Sequence, residues 1–256
     1  EVKEDSCELD TGSYPIFPAI RYLKKDGRIL EAGCGLGRIV KWLFNRHYKV
    51  VAMELEEYSI RKLKSDMPQT HCVRGDAGCL PFKSNSFLYI FLMGVLDVFT
   101  SDAQRANMLK ESVRILENKG MAFISVPHQQ SLFWLMYRLK RNPVIRKICG
   151  KEVLPQYFGQ FAFNKNELSA LIGNHFPQHK IFYANTRMAF FYLCPHLRAK
   201  SVRTIDFPAL QKLERNRGEN IYVLSPLGEL LYSWSRLFQH LTGPTLYVVA
   251  FKSSGE

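Results

Sequence analysis

The chain has 256 residues, 46% hydrophobic and 13% aromatic, and carries a formal net charge of +12. This composition excludes a wholly disordered chain, and the length suits one large domain or a core domain with a smaller insert. No apolar run approaches the roughly 20 residues that a membrane-spanning helix needs, and the acidic start "EVKEDSCELD" is unlike a signal peptide.

In chain order, the first half alternates strand and helix patterns. "RILEAG" (28–33) predicts a short apolar strand running into a glycine turn. "LGRIVKWLFNRH" (36–47) predicts a helix with its apolar stripe at 36, 39, 40 and 43. "KVVAMEL" (49–55) is a β-branched strand that ends at an acid, and "EEYSIRKLKSDM" (56–67) a polar amphipathic helix stopped by Pro68. "HCVRGD" (71–76) predicts a third strand. The continuous apolar run "FLYIFLMG" (87–94) fits a central strand buried on both faces. "SDAQRANMLKESVRILENKG" (101–120) predicts a helix capped by Ser101 or Asp102 and stopped at Gly120, and "MAFISVP" (121–127) a fifth strand.

Strands alternating with helices imply a parallel sheet covered on both faces. Ligands of such sheets sit at the carboxyl ends of the strands, near the switch in strand order. The glycine turn, Glu54, Asp76, the 93–97 turn and Pro127-His128 all fall at such ends.

The second half is less regular. Residues 128–164 form a basic aromatic insert that contains "SLFWLMYRLKR" (131–141), and residues 165–185 continue the core with a helix over 165–174 and a strand over 179–185. Residues 186–244 form a second insert, with a strong helical pattern over 227–241, and "TLYVVAF" (245–251) is the final strand in a segment running to 256. The two late strands would pair and close the sheet. The expected architecture is therefore α/β, with residues 1–127 as its ligand-binding core.

Charge is concentrated in the inserts. Residues 127–152 carry six Lys/Arg against one Glu, and residues 187–217 carry seven against Asp206 and Glu214. Such clusters suit either plain solubility or an anionic partner: a phosphorylated substrate, nucleic acid or lipid headgroups. The six cysteines form no CxxC pair and no Cys/His cluster, so no metal site is expected and free thiols in a reducing cytoplasm are the simpler reading.

The glycine turn reads Gly33-Cys34-Gly35-Leu36-Gly37, which is GxGxG. Arg38 stands where a dinucleotide fingerprint has its third glycine, and no GxxxxGK[ST] phosphate loop occurs. Glu31 precedes the turn, and a carboxylate there suits an ammonium group and repels a pyrophosphate. These residues point to the methionyl part of S-adenosylmethionine.

"LEAGCGLG" (30–37) resembles the first motif of class I S-adenosylmethionine-dependent methyltransferases, and later motifs follow in order. The resemblance covers about residues 14–127, more loosely 159–183, and is nearest the type 11-like subfamily that methylates small molecules, quinones and lipids. It implies a doubly wound, mostly parallel, seven-stranded Rossmann-like sheet with inserted helical cap segments. It also implies S-adenosylmethionine as donor, leaving as S-adenosylhomocysteine. The cofactor set it implies is Glu31, Gly33, Cys34, Gly35 and Gly37 in the first turn, then Glu54 on the ribose hydroxyls with Leu55 beside it. Asp76 would take the adenine amino group, Ala77 would offer its N–H to the ring, and Met93 and Gly94 would lie in the turn under the methyl group. The family's usual Glu-His after strand four is here Asp97-Val98, which removes one candidate base.

Two residues remain as catalytic candidates. Asp97 could be a general base, an orienting group or a helix cap. His128, directly after the fifth strand, could deprotonate a hydroxyl or phenol, or be a plain loop histidine. Phe133, Trp134, Tyr137 and Arg138 are the candidate substrate residues. Their segment reads as a lid over the site, or as a basic amphipathic helix that meets a membrane surface peripherally. The expected acceptor is small or lipid-like, with methyl transfer to oxygen or carbon. The (Asp/Asn)-Pro-Pro-(Tyr/Phe) motif of nucleic-acid N-methyltransferases is replaced by "MGVLDVF", which disfavours RNA without removing it. A non-catalytic partner-binding subunit is the third reading.

Overall fold

The structure of the chain, a computed structural model, describes Ala19 and residues 22–132, 134–135, 161–184 and 245–253. Its strands are β1 (Arg28–Ala32), β2 (Lys49–Glu54), β3 (His71–Arg74), β4 (Phe87–Met93), β5 (Leu116–Pro127), β6 (Gln178–Ala184) and β7 (Thr245–Phe251). The described helices are α1 (Arg38–Asn45), α2 (Glu57–Asp66), α3 (Asp102–Ile115) and α4 (Lys165–Gly173). The strands form one seven-stranded sheet in the order β3-β2-β1-β4-β5-β7-β6. β1 pairs in parallel with β2 and β4, β2 with β3, and β4 with β5. This is the doubly wound Rossmann-like architecture that the alternating pattern predicts, with the two late strands side by side.

The chain runs outward from β1 through β2 to β3, then returns to β4 on the other side of β1. The order therefore reverses between β1 and β4, and the turns that leave these two strands diverge there. β4 lies at the heart of the sheet: Phe87 and Tyr89 through Met93 are buried. Each such side chain contributes roughly 1.5–3 kcal/mol by leaving water. The one polar tip in this run, the Tyr89 hydroxyl, donates to the Tyr22 carbonyl at 2.7 Å and accepts from the Lys24 N–H at 3.1 Å.

One boundary differs from the sequence expectation. The helix over 101–120 ends at Ile115, five residues before Gly120, and β5 starts at Leu116. Leu116 is buried and pairs with Phe87, and the Ser86 N–H donates to the Ile115 carbonyl at 2.8 Å. Sheet pairing of an apolar residue thus wins over continuing a helix through the polar "ENKG". The register shifts between Phe87 and Tyr89, where Lys119 takes φ 66°. At the other end Ser101, not Asp102, is the cap, with Gln104 completing a capping box.

Two compact units divide the chain. One comprises Pro18–Pro127, Phe158–Phe182 and Leu246–Glu256, and holds the sheet except for Tyr183, Ala184 and Thr245 at the ends of β6 and β7. The other comprises Glu1–Phe17, His128–Tyr157 and Tyr183–Thr245. In the latter, Ser131 opens a helical turn: its Oγ accepts the Trp134 N–H at 3.1 Å and its carbonyl the Leu135 N–H at 3.0 Å. The helical pattern over 227–241 lies outside the described residues. No described helix is long and apolar enough to cross a membrane.

Candidate functional site

The turn after β1 is tied to the end of β2. The N–H groups of Gly33 and Cys34 both donate to the Met53 carbonyl, at 2.8 and 3.0 Å. The Gly35 N–H donates to Glu54 Oε2 at 2.8 Å. Glu54 Oε1 accepts the N–H groups of Leu55 and Glu56 at 2.7 and 3.1 Å. Glu54 therefore holds the glycine turn against its own strand end. A carboxylate offers about four acceptor positions, so three backbone contacts leave little spare capacity.

The three glycines serve different ends. Gly33 and Gly37 have φ of 74° and 76°, and a Cβ on either would meet a neighbour at once: Val95 Cγ2 at 2.4 Å and Leu63 Cδ1 at 2.3 Å. These two let the turn close against the β4 turn and against α2. Gly35 has φ 52°, but a Cβ there would meet nothing within 4 Å. Its open face is where a ligand can approach the backbone closely.

Glu31 lies beneath this turn, only 3% exposed. It accepts the Val40 N–H from the first turn of α1, while its Oε2 has no hydrogen-bond partner among the described residues. Burial pushes its pKa up to about 8; Arg38 and the Val40 N–H pull it down less strongly, and Glu54 raises it slightly further. A buried carboxylate with an unmatched oxygen is a poor resting state without a cation to meet it. An ammonium group supplies both the charge and the missing donor, so this residue fits the methionyl end of S-adenosylmethionine. Burial also raises the Cys34 thiol far above its usual range, so Cys34 is a small buried packing residue with no thiolate character.

At the end of β3, Asp76 is exposed and forms a tight turn. Its Oδ1 accepts the Gly78 N–H at 2.8 Å and its carbonyl the Cys79 N–H at 3.0 Å. Ala77, within that turn, is buried, while Leu55 at the end of β2 is 58% exposed. An exposed leucine beside an acid-bearing turn offers an apolar face for a flat ring.

The turn after β4 begins at Met93 and Gly94, the latter with φ 68° and its N–H on the Ser125 carbonyl at 3.0 Å. Asp97 is 2% exposed, and its carbonyl accepts the Phe161 N–H at 3.3 Å. Because Ser101 caps α3, Asp97 is not the cap of that helix. Arg105 secures the same turn: its Nη2 donates to the Phe99 carbonyl and its Nη1 to Asp102 Oδ1, both at 2.6 Å. Its guanidinium lies 4.1 Å from the Phe161 ring and 5.4 Å from the Phe163 ring. Arg105 was not singled out from the sequence. The signal was there, because it occupies the buried stripe of α3 with Met108, Leu109, Ser112 and Ile115.

His128 follows β5 directly and belongs to the other compact unit. It is 1% exposed, its ring lies 5.2 Å from that of Tyr183, and its carbonyl accepts the Ser131 hydroxyl at 2.9 Å. Trp134 is half-buried, while Phe133, Tyr137 and Arg138 lie outside the described residues. No group of three or more His, Cys, Asp or Glu among the described residues is placed to hold a metal ion.

Comparison with known proteins follows the same lines. Residues 30–124, from β1 through most of β5, match the family described as methyltransferase domain. No curated protein matches the chain in sequence. Among solved structures, an S-adenosylmethionine-dependent methyltransferase of Methanosarcina mazei is 17% identical, with 94% of this chain and 99% of that one covered at a TM-score of 0.56. One from Archaeoglobus fulgidus is 14% identical, covering 93% and 91%, also at 0.56. The cyclase SpnF is 13% identical, covering 91% and 77%, at 0.53. At such identities the likeness shows the fold, and the chemistry rests on the matched domain and the residues at the turns.

Proposed function

We propose that this chain, a class I S-adenosylmethionine-dependent methyltransferase by its domain and fold, transfers a methyl group to oxygen or carbon of a small or lipid-like acceptor. The observation that carries the donor half is Glu31: a buried carboxylate with one unmatched oxygen, under a glycine whose open face admits a ligand. When bound, S-adenosylmethionine supplies an activated methyl group on a sulfonium sulfur.

Each donor residue then has a task. Glu31 neutralises the ammonium group, and Gly33, Cys34, Gly35 and Gly37 let the backbone pass the methionyl chain. Glu54 accepts from the ribose hydroxyls, sharing or releasing one of its backbone contacts to do so. Asp76 accepts from the adenine amino group while Ala77 and Leu55 border the ring. Met93 and Gly94 begin the turn at which the acceptor is aligned, and alignment supplies much of the acceleration in a direct displacement.

His128 is the candidate proton acceptor for a hydroxyl or phenol, and Asp97 the candidate orienting group. If His128 acts as base, His128→Ala lowers the rate by roughly a hundredfold or more with donor affinity intact; a near wild-type rate leaves alignment as the main mechanism. The basic inserts favour an acceptor bearing an anionic group, or contact with a membrane surface, and residues 128–164 and 186–244 are proposed as lid and cap over it. A reducing compartment such as the cytoplasm suits six scattered cysteines with no CxxC pair in a chain of this size.

The charge also favours a second reading, an RNA substrate. Incubation with methyl-labelled donor and, in turn, small phenols and acids, lipid extracts and tRNA separates the two. Label in small or lipid-like material supports the proposal; label in tRNA, with binding that falls steeply with salt, supports the alternative.

A further inference from the structure

Helix α3 reaches the Asp76 turn with side chains that play no part in the chemistry assigned above. The Asn107 Nδ2 donates to the Gly78 carbonyl at 2.6 Å. Glu111 Oε2 accepts the Leu80 N–H at 3.1 Å, and Arg114 donates to the carbonyls of Leu80 and Phe82 at 2.9 and 2.7 Å. Three residues on one helix thus hold the backbone of the loop that follows Asp76, from Gly78 to Phe82. Glu111 and Arg114 also pair with each other at 2.8 Å, so that part of the brace is one rigid ion pair.

Gly78 is where the brace meets the proposed binding group. Its N–H fixes Asp76 Oδ1, and its carbonyl is the acceptor for Asn107. A Cβ on Gly78 would lie 3.4 Å from Asp76 Oδ1 and 3.9 Å from the Phe99 ring, so the carboxylate, the peptide and that ring are packed together. The two peptide units that meet at the Gly78 Cα therefore carry the hold of Asn107 on one side and the aim of Asp76 on the other. We propose that Asn107 is a positioning residue for the methyl donor, acting through the backbone of Gly78 to aim the Asp76 carboxylate at the adenine amino group. This rests on the assignment of Asp76 to that group.

Asn107 is exposed and lies outside the sheet core, so its replacement leaves the fold intact. The test is titration calorimetry of the full chain with S-adenosylhomocysteine and with its 6-deamino purine analogue, which lacks the amino donor to a carboxylate but keeps every ring nitrogen as an acceptor. Wild type should prefer the adenine compound, and Asp76→Ala should abolish that preference. Asn107→Ala, and Asn107→Asp, which keeps the shape and removes the donor, should each weaken S-adenosylhomocysteine roughly two- to tenfold, the range of one hydrogen bond. Both should shrink the preference while leaving the thermal midpoint near wild type. An equal loss for both compounds marks a merely structural role and overturns the proposal. So does an unchanged Asn107→Ala beside an Asp76→Ala that has lost the preference. If Asp76→Ala keeps the preference, the adenine assignment falls and the positioning role falls with it.

Discussion

The turn after β1 and the turn after β4 flank the same reversal in strand order, yet they are built by different means. The first is local: Gly33 and Cys34 rest on Met53, and Gly35 on Glu54, all within two adjacent strands. The second is held from far along the chain. The Asp97 carbonyl takes its hydrogen bond from Phe161, and Arg105 grips Phe99 from a helix while lying against Phe161 and Phe163. The proposed donor side is thus fixed by motif, and the proposed acceptor side by tertiary packing. A motif repeats across sequences that bind the same cofactor, whereas a packing arrangement is free to change with the acceptor.

That contrast can be broken from either side. The largest effect is expected at the local turn. Gly33→Ala or Gly37→Ala puts a Cβ at 2.4 or 2.3 Å from a packed side chain at positive φ, and should cost about 2–4 kcal/mol of stability, read by urea unfolding. Arg105→Ala should cost about 2–3 kcal/mol by removing two hydrogen bonds of a charged group and two ring contacts. It should raise amide exchange at Val98 and at 161–163 above that at the glycine turn. Equal rises in both places would show that the two turns are not separately built.

Glu31 sharpens the contrast through pH. Its folded pKa of about 8 lies above the unfolded value near 4.5, so the folded protein holds an extra proton between these limits. The free protein should lose stability as pH rises from about 4.5 through 8, and Glu31→Gln should flatten that slope. An ammonium ligand needs the ionised form, so donor binding below pH 8 should release a proton. Calorimetry in two buffers of different ionisation heat reads that release directly. Smaller again, Glu54→Ala and Asp76→Ala should each weaken donor binding by roughly 1–3 kcal/mol, measured by titration with S-adenosylhomocysteine.

The fold was legible because strand and helix periods alternate cleanly as far as Pro127. The end of α3 was misjudged because Gly120 looks like a helix stop, while the real stop is the pairing of Leu116 with Phe87. At the site, Glu31, the glycines and Glu54 stand out because their spacing to a strand end is short and fixed. The contact of the Gly35 N–H with Glu54 was not legible, since it depends on how the turn folds back over β2. Arg105 and Asn107 were missed for a related reason. Their partners lie in loops six and 29 residues away along the chain, and only the packed structure brings them within 2.6 Å.

The most direct test is titration of the purified chain with S-adenosylmethionine, with NAD as the comparison ligand. One-site binding of S-adenosylmethionine, proton release below pH 8 and weakened binding in Glu31→Gln are the expected results. Absence of binding heat, or preferential binding of NAD, would contradict the assignment of the glycine turn to a methyl donor.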